Sequence, residues 1–149
     1  PVIVDPKGAQ WLKYKEADYL TPNIKEINEI MLEPIVNKDF EVEKAARYAM
    51  RKFGIRNVVL TRSAKGLSLI HGEEVAHIPT KAQEVFDVSG AGDTVIAVFG
   101  LGLAGGLKPA DAAYLANVAA SVVVSKLGTY AVSREELLQV LDHQEGANG

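Results

Sequence analysis

The stretch Asp87-Val88-Ser89-Gly90-Ala91-Gly92-Asp93-Thr94 decides how this chain is read. Three residues with little or no side chain lead into an acid, and an apolar run follows through Val95, Ile96, Val98, Phe99 and Leu101. The pattern predicts a turn that opens a long, largely apolar helix. Gly90, Ala91 and Gly92 let backbone N–H groups face a ligand, and a helix N-terminus adds about half a positive charge there. Such a turn suits a phosphoryl group gathering negative charge in a transition state, with Asp93 beside it as acceptor for an alcohol proton. A purely geometric origin is the alternative, since glycine tolerates positive φ and an acid in a first helical turn complements the macrodipole anyway. Spacing excludes two common phosphate loops. A Walker A loop needs a Gly-Lys pair that is absent, and Val95 stands where a dinucleotide fingerprint needs Gly or Ala.

Upstream of this turn, strands and helices alternate. Val2 to Asp5 is a β-branched strand closed by Pro6 and Gly8, and Tyr19 to Thr21 is a second, stopped by Pro22. Asn23 begins a helix carrying Ile24, Ile27, Ile30 and Met31 along one side. Val42, Ala45, Ala46, Ala49, Met50 and Phe53 recur at helical spacing, with Asp39 placed as cap and Gly54 as the left-handed residue that ends the helix. Asn57 to Thr61 reads as a strand buried on both faces. Gly66 to His71 and Val75 to Pro79, joined at Gly72-Glu73, read as a hairpin. Downstream, Pro109 opens a helix to about Lys126. Ser133 and Glu136 form a capping box for a last helix through Leu141. The order βαβαβ, ββ and then three helices predicts an α/β layered domain with a mostly parallel sheet plus a hairpin. Residues 1–142 form this domain, and the polar stretch 143–149 is expected to be a frayed tail.

Composition narrows the functional classes. A chain of 149 residues, 48% hydrophobic and 23% charged, is one ordinary globular domain. Its net charge of −3 argues against general affinity for nucleic acid or anionic membranes. No apolar run reaches transmembrane length. The absence of cysteine removes disulfides and thiolate metal sites, and fits a reducing cytoplasm. His71, His77 and His143 show no ligand spacing and are expected at strand and tail positions. Pro1 opens the chain inside a strand, which leads to the expectation of a piece of a longer protein and an incomplete fold.

Ligands of open α/β sheets bind at the carboxyl ends of the strands. Asp5, Thr21 to Glu26, Thr61 to Gly66 and Gly90 to Asp93 all fall there. Asn23 and Glu26 stand three apart at a strand-to-helix junction. They can serve as a capping box, as holders of hydrated Mg²⁺, or as both. Thr61 and Ser63 offer hydroxyls to a nucleotide phosphate or ribose, although taken alone the loop reads more readily as a plain polar turn. The small residues Ala116, Ala119, Ala120 and Ser121 signal close helix packing, or room for a flat adenine ring.

Taken together, Pro22-Asn23-x-x-Glu26 and Asp87-x-x-Gly90-Ala91-Gly92-Asp93, in that order, resemble the carboxyl-terminal half of the ribokinase (phosphofructokinase B) family of sugar kinases. Asp5-Pro6-Lys7-Gly8, Leu20-Thr21-Pro22-Asn23, Thr61-Arg62-Ser63 and Lys126-Leu127-Gly128-Thr129 look most like its heptose branch. That branch phosphorylates D-glycero-D-manno-heptose 7-phosphate at C1 on the route to ADP-heptose, alone or fused to an adenylyltransferase. The resemblance implies ATP and Mg²⁺ as cofactors, Asp93 as catalytic base, and Gly90, Ala91 and Gly92 as anion hole. It assigns Asn23, Ile24, Lys25, Glu26, Thr61, Ser63, Gly66, Asn117, Lys126 and Gly128 to the nucleotide, and Glu26 with Asn23 to the metal. Where many relatives carry Thr-x-Gly-x-x-Gly, this chain has Ser63, a departure that favours the heptose branch. A whole kinase of the family runs to about twice this length, near 300 residues. A different sugar or nucleoside as substrate, or a nucleotide-binding fragment without turnover, are the alternatives. A homo-oligomer, as a dimer, is expected from an open sheet edge.

Overall fold

Val58, Val59 and Leu60 are all fully buried, yet they face opposite sides of one sheet. The computed structural model describes residues 1–82 and 84–147. Five strands lie in the order β1 (Ile3–Val4), β2 (Tyr19–Leu20), β3 (Asn57–Thr61), β4 (Leu67–His71) and β5 (Glu74–Ile78). β1, β2 and β3 pair in parallel, with Ile3 opposite Tyr19 and Leu20 opposite Val58. The hairpin then adds β4 and β5 antiparallel, through Val59 opposite Leu69 and Leu69 opposite Ala76. The sheet is therefore mixed. The mostly parallel sheet expected from the strand–helix alternation gains as many antiparallel pairings because the hairpin joins it in full register.

Period-two alternation sends each strand's side chains to two cores. On one face, Leu20, Val58, Leu60 and Ile70 meet α2 (Asp39–Phe53) through Val42, Ala45, Ala46, Ala49 and Phe53. On the other, Tyr19, Val59, Leu67 and Leu69 meet Val95 and Phe99 of α3 (Ala91–Ala104) and Ala112, Ala113 and Ala116 of α4 (Pro109–Val124). The helices α3 and α4 approach closely because Gly102 faces Ala112. A Cβ built on Gly102 would lie 3.0 Å from the Ala112 Cβ. Among the described residues no helix is long and apolar enough to cross a membrane.

Several local features differ from the sequence reading. No α-helix lies between β1 and β2; the link is a 3₁₀ turn, Trp11–Tyr14, which the sequence reading left unassigned. Trp11 is fully buried there, its indole N–H donates to the Gly8 carbonyl at 2.7 Å, and its ring tilts against Phe53. The expected cap Asp39 is instead the first helical residue of α2, behind Lys38, and caps nothing. Its carboxylate goes to Arg62, a stronger partner than a helix amide. Gly54 does end α2 in the left-handed region, at φ 66°. The helix α5 (Arg134–Ala147) continues past Leu141, and residues 148 and 149 of the expected tail lie outside the described residues.

The capping box of α5 forms as expected. Ser133 N–H donates to Glu136 Oε2 at 2.9 Å, and the Glu136 amide donates to Ser133 Oγ at 3.2 Å. Tyr130 adds its hydroxyl at 2.7 Å. These donors, the Ser133 amide first, hold the Glu136 carboxyl down at about 2 against an ordinary 4.5. A folded value below the unfolded one means that the box stabilises fully above pH 4.5 and is lost as pH falls toward 2. Amide exchange along α5 is expected to quicken across that window, and Glu136→Gln to remove the dependence. Equal slopes in both proteins would contradict the assignment.

Candidate active site

The site is built where the ends of β1, β2 and β3 converge. Thr21 N–H donates to the Val4 carbonyl and Thr61 N–H to the Pro22 carbonyl, both at 2.9 Å. A single parallel bridge links Asn23 to Thr61. The short helix α1 (Ile24–Asn28) starts here under a complete capping box. Asn23 Oδ1 accepts from the Glu26 amide at 2.8 Å, and Glu26 Oε2 accepts from the Asn23 amide at 2.9 Å. The remaining oxygen, Oε1, accepts from Lys7 Nζ at 2.5 Å, and Lys7 also pairs with Asp5 at 2.9 Å. Glu26 and Asp5 together raise the Lys7 ammonium well above its ordinary pKa.

Two adjoining cavities occupy this edge. The larger, about 1010 Å³, is walled by α1, the 61–67 loop, α3 and α4, and has an apolar lining on the Val88, Val95, Ala120 and Val124 side. The smaller, about 130 Å³, is polar and lies among Asp5, Lys7, Glu26, Gly90, Gly92 and Asp93. Asn23, Thr61 and Gly92 line both, so a single elongated ligand can span them.

The glycine-rich turn is held by backbone and one acid. Phe86 N–H donates to the Val124 carbonyl at 2.8 Å, docking the segment on the end of α4. Asp87 accepts from Ser89 N–H at 2.8 Å and from Gly128 N–H at 3.1 Å, and these donors, with Ser89 foremost, keep its carboxyl ionised below the usual range. Gly90 sits at the N-cap of α3 with φ 77°, a conformation that a side chain resists. Among the described residues no side chain is seen to cap this helix. The Ala91 amide turns back to Val88 and the Thr94 amide to Gly90, which leaves the Gly92 and Asp93 amides at the open helix end. Asp93 is exposed and lines the small cavity, and its carboxylate is in no hydrogen bond or ion pair among the described residues.

The 61–66 loop is fixed by Arg62, which lies only 2% exposed. Its guanidinium donates to Asn37 Oδ1 (2.8 Å), Asp39 Oδ1 (2.6 Å) and Ser68 Oγ (3.0 Å). Ser68 in turn shares 2.8 Å with His77 Nδ1, while Arg62 Nη2 is buried without a partner among the described residues. This anchoring holds Ser63 at φ 54°, a left-handed conformation where the resembled pattern has glycine. At Gly66, a Cβ would strike the Ile78 carbonyl at 2.0 Å, so no other residue fits.

The sequence-predicted residues divide accordingly. Asn23, Ile24, Lys25, Thr61, Ser63, Gly66, Ala91, Gly92 and Asn117 line the large cavity, and Glu26, Gly90 and Asp93 the small one. Asn117 spends its amide N–H on the Pro79 carbonyl at 2.7 Å. Lys126 and Gly128 line neither cavity: Lys126 pairs with Glu136 at 3.6 Å, and the Gly128 amide is engaged by Asp87. Sequence reasoning assigned no part to Lys7 as a wall residue or to Arg62 as the loop's anchor. A cation two residues past the β1 acid, and an arginine directly after a buried strand, were the available signals. His71 and His77 are partly buried strand residues as expected, and the side chain of His143 lies outside the described residues.

With both oxygens of Glu26 engaged, the metal expectation takes a definite form. Among the described residues no group of three or more ligating side chains gathers to hold an ion by itself. The oxygen-rich walls fit a hard cation held by a carboxylate, water and phosphate, as Mg²⁺ is usually held. Asp87→Ala is expected to speed amide exchange at Ser89 and Gly128 while α2 keeps its protection. Unchanged exchange at those two amides would remove Asp87 as the turn's organiser.

Comparison with known proteins bears on the fold and the family. The model of the pfkB family of carbohydrate kinases matches residues 1–136. The bifunctional protein HldE of Syntrophotalea carbinolica is 47% identical over 145 residues, covering 96% of this chain and 29% of that protein. HldE of Geobacter sulfurreducens is 48% identical over 147 residues, covering 98% and 30%. The chain thus spans less than a third of the length of these relatives. Among solved structures, Thermotoga maritima ribokinase superposes with a TM-score of 0.80 at 34% identity, covering 95% of this chain and 48% of its own. Arabidopsis thaliana ribokinase, complexed with ribose and ATP, gives 0.84 at 27% identity, covering 95% and 47%. The shared fold is ribokinase-like and partial, and the chain belongs to the pfkB family of carbohydrate kinases.

Proposed function

We propose that residues 1–142 form the carboxyl-terminal portion of an ATP-dependent sugar kinase domain, carrying its nucleotide site and its base. The carrying observation is Asp93, exposed, its carboxylate unpaired among the described residues beside the open amides of α3, in a polar cavity that shares wall residues with a large apolar one. In this reading the adenosine lies in the large cavity against Val88, Val95, Ala120 and Val124. Its phosphates run past Asn23, Thr61 and Gly92 into the small one. The Gly92 and Asp93 amides receive the negative charge of the migrating phosphoryl group, while the Asp93 carboxylate takes the proton of the attacking hydroxyl. Mg²⁺, when bound, would neutralise phosphate charge near Glu26 and Asn23.

The substrate proposed is D-glycero-β-D-manno-heptose 7-phosphate, giving the 1,7-bisphosphate that precedes ADP-heptose and the lipopolysaccharide core. Support comes from the HldE relatives and from Ser63 in place of glycine. The ribokinase solved with ribose and ATP supports the nucleotide. A cytoplasmic location is part of this reading. So is self-association as a dimer, since β1 is the outermost strand of the sheet among the described residues. A nucleotide-binding fragment without turnover is the second reading, favoured by the chain covering 47–48% of the ribokinases.

The test joins this chain to the remainder of its parent kinase and supplies ATP, Mg²⁺ and a panel of sugar phosphates. Phosphorylation of the heptose 7-phosphate is expected to dominate. Asp93→Asn should keep ATP affinity and lower kcat by about 10²–10⁴-fold. Full turnover by that variant would remove Asp93 as the base, and preference for another sugar would overturn the substrate.

A further inference from the structure

The small cavity presents an electrostatic problem. Three of its wall residues are carboxylates, Asp5, Glu26 and Asp93, and one is an ammonium, Lys7. An incoming polyphosphate meets net negative walls, and the α3 amides offset only about half a charge. Lys7 is at the same time committed to Glu26 (2.5 Å) and Asp5 (2.9 Å).

We infer that Lys7 is a charge-exchange residue of this site, passing from Glu26 to the phosphate when nucleotide enters. The inference rests on the proposed nucleotide reading and assigns a further residue to it. Glu26 has two oxygens with different duties. Oε2 caps α1 at the Asn23 amide, and releasing it would undo the helix start. Among the described residues Oε1 holds only Lys7. Any cation that Glu26 accepts must therefore take the Oε1 side and displace the ammonium. The displaced Lys7 is free to turn, because its side chain is 67% exposed. Within a cavity of about 130 Å³ the arriving phosphate oxygens are its nearest new acceptors. Before binding, Lys7 keeps Glu26 and Asp5 from repelling each other; after binding, it supplies charge to the phosphate. Asp5, at the end of β1, tethers the ammonium throughout the exchange.

Lys7→Met and Lys7→Arg are compared with the native chain by calorimetric titration, using inorganic tripolyphosphate with Mg²⁺ and, separately, adenosine. Loss of a charge-assisted contact to phosphate is expected to weaken tripolyphosphate binding by about tenfold or more in Lys7→Met. Adenosine affinity should be unchanged, and Lys7→Arg should bind tripolyphosphate nearly as the native chain does. Native-like tripolyphosphate binding by Lys7→Met overturns the inference. A parallel loss of adenosine binding does too, since it marks a merely structural ion pair. A native chain that binds no tripolyphosphate overturns it as well. If the native chain binds tripolyphosphate but not adenosine, and Lys7→Met loses the former, the nucleotide reading fails while the role of Lys7 stands.

Discussion

The carboxylate of Glu26 is the joint on which this edge of the molecule depends. One oxygen starts α1, the other receives Lys7 from beyond β1, and the residue it caps, Asn23, is bridged to Thr61 at the end of β3. Three strand ends are thus brought into register by one side chain only 9% exposed. Burial of a charge on this scale is tolerable only because each oxygen has a partner, one of them cationic. With that joint in place, Asn23 and Thr61 are set where the two cavities meet, and the open end of α3 faces them.

The glycine-rich turn is held by a different strategy. Its own residues contribute few side-chain contacts, so its position is imposed from outside, by the end of α4 through Val124 and by Asp87 reaching Gly128. Position without side chains leaves amides available, which is what an anion needs. The same economy appears on the opposite wall, where the buried Arg62 network holds the 61–66 loop and keeps Ser63 in a conformation costly for a residue with a Cβ.

Much of this was legible in the sequence because it is local. Period-two and helical spacing revealed β3, the hairpin and α2; capping pairs revealed the starts of α1 and α5; and the small residues before Asp93 revealed the start of α3. What escaped depends on contacts between distant segments. Asp39 reads as a cap until Arg62, 23 residues later, claims it. Lys126 and Gly128 read as nucleotide contacts, and nothing local in the sequence shows that they meet Glu136 and Asp87. The Trp11 turn has no periodicity to reveal it, and its reason lies in the α2 core that it caps. Lys7 received no part because nothing nearby in sequence shows Glu26, 19 residues away.

The central claim is that the open amides of α3 receive the terminal phosphate of a nucleotide seated in the adjoining cavity. Amide chemical shifts of the protein, recorded with a non-hydrolysable ATP analogue and then with AMP, test it most directly. The account predicts that both ligands shift Val95 and Ala120, while only the triphosphate shifts Gly92 and Asp93. Identical shifts at Gly92 and Asp93 with AMP, or none with either ligand, would contradict it.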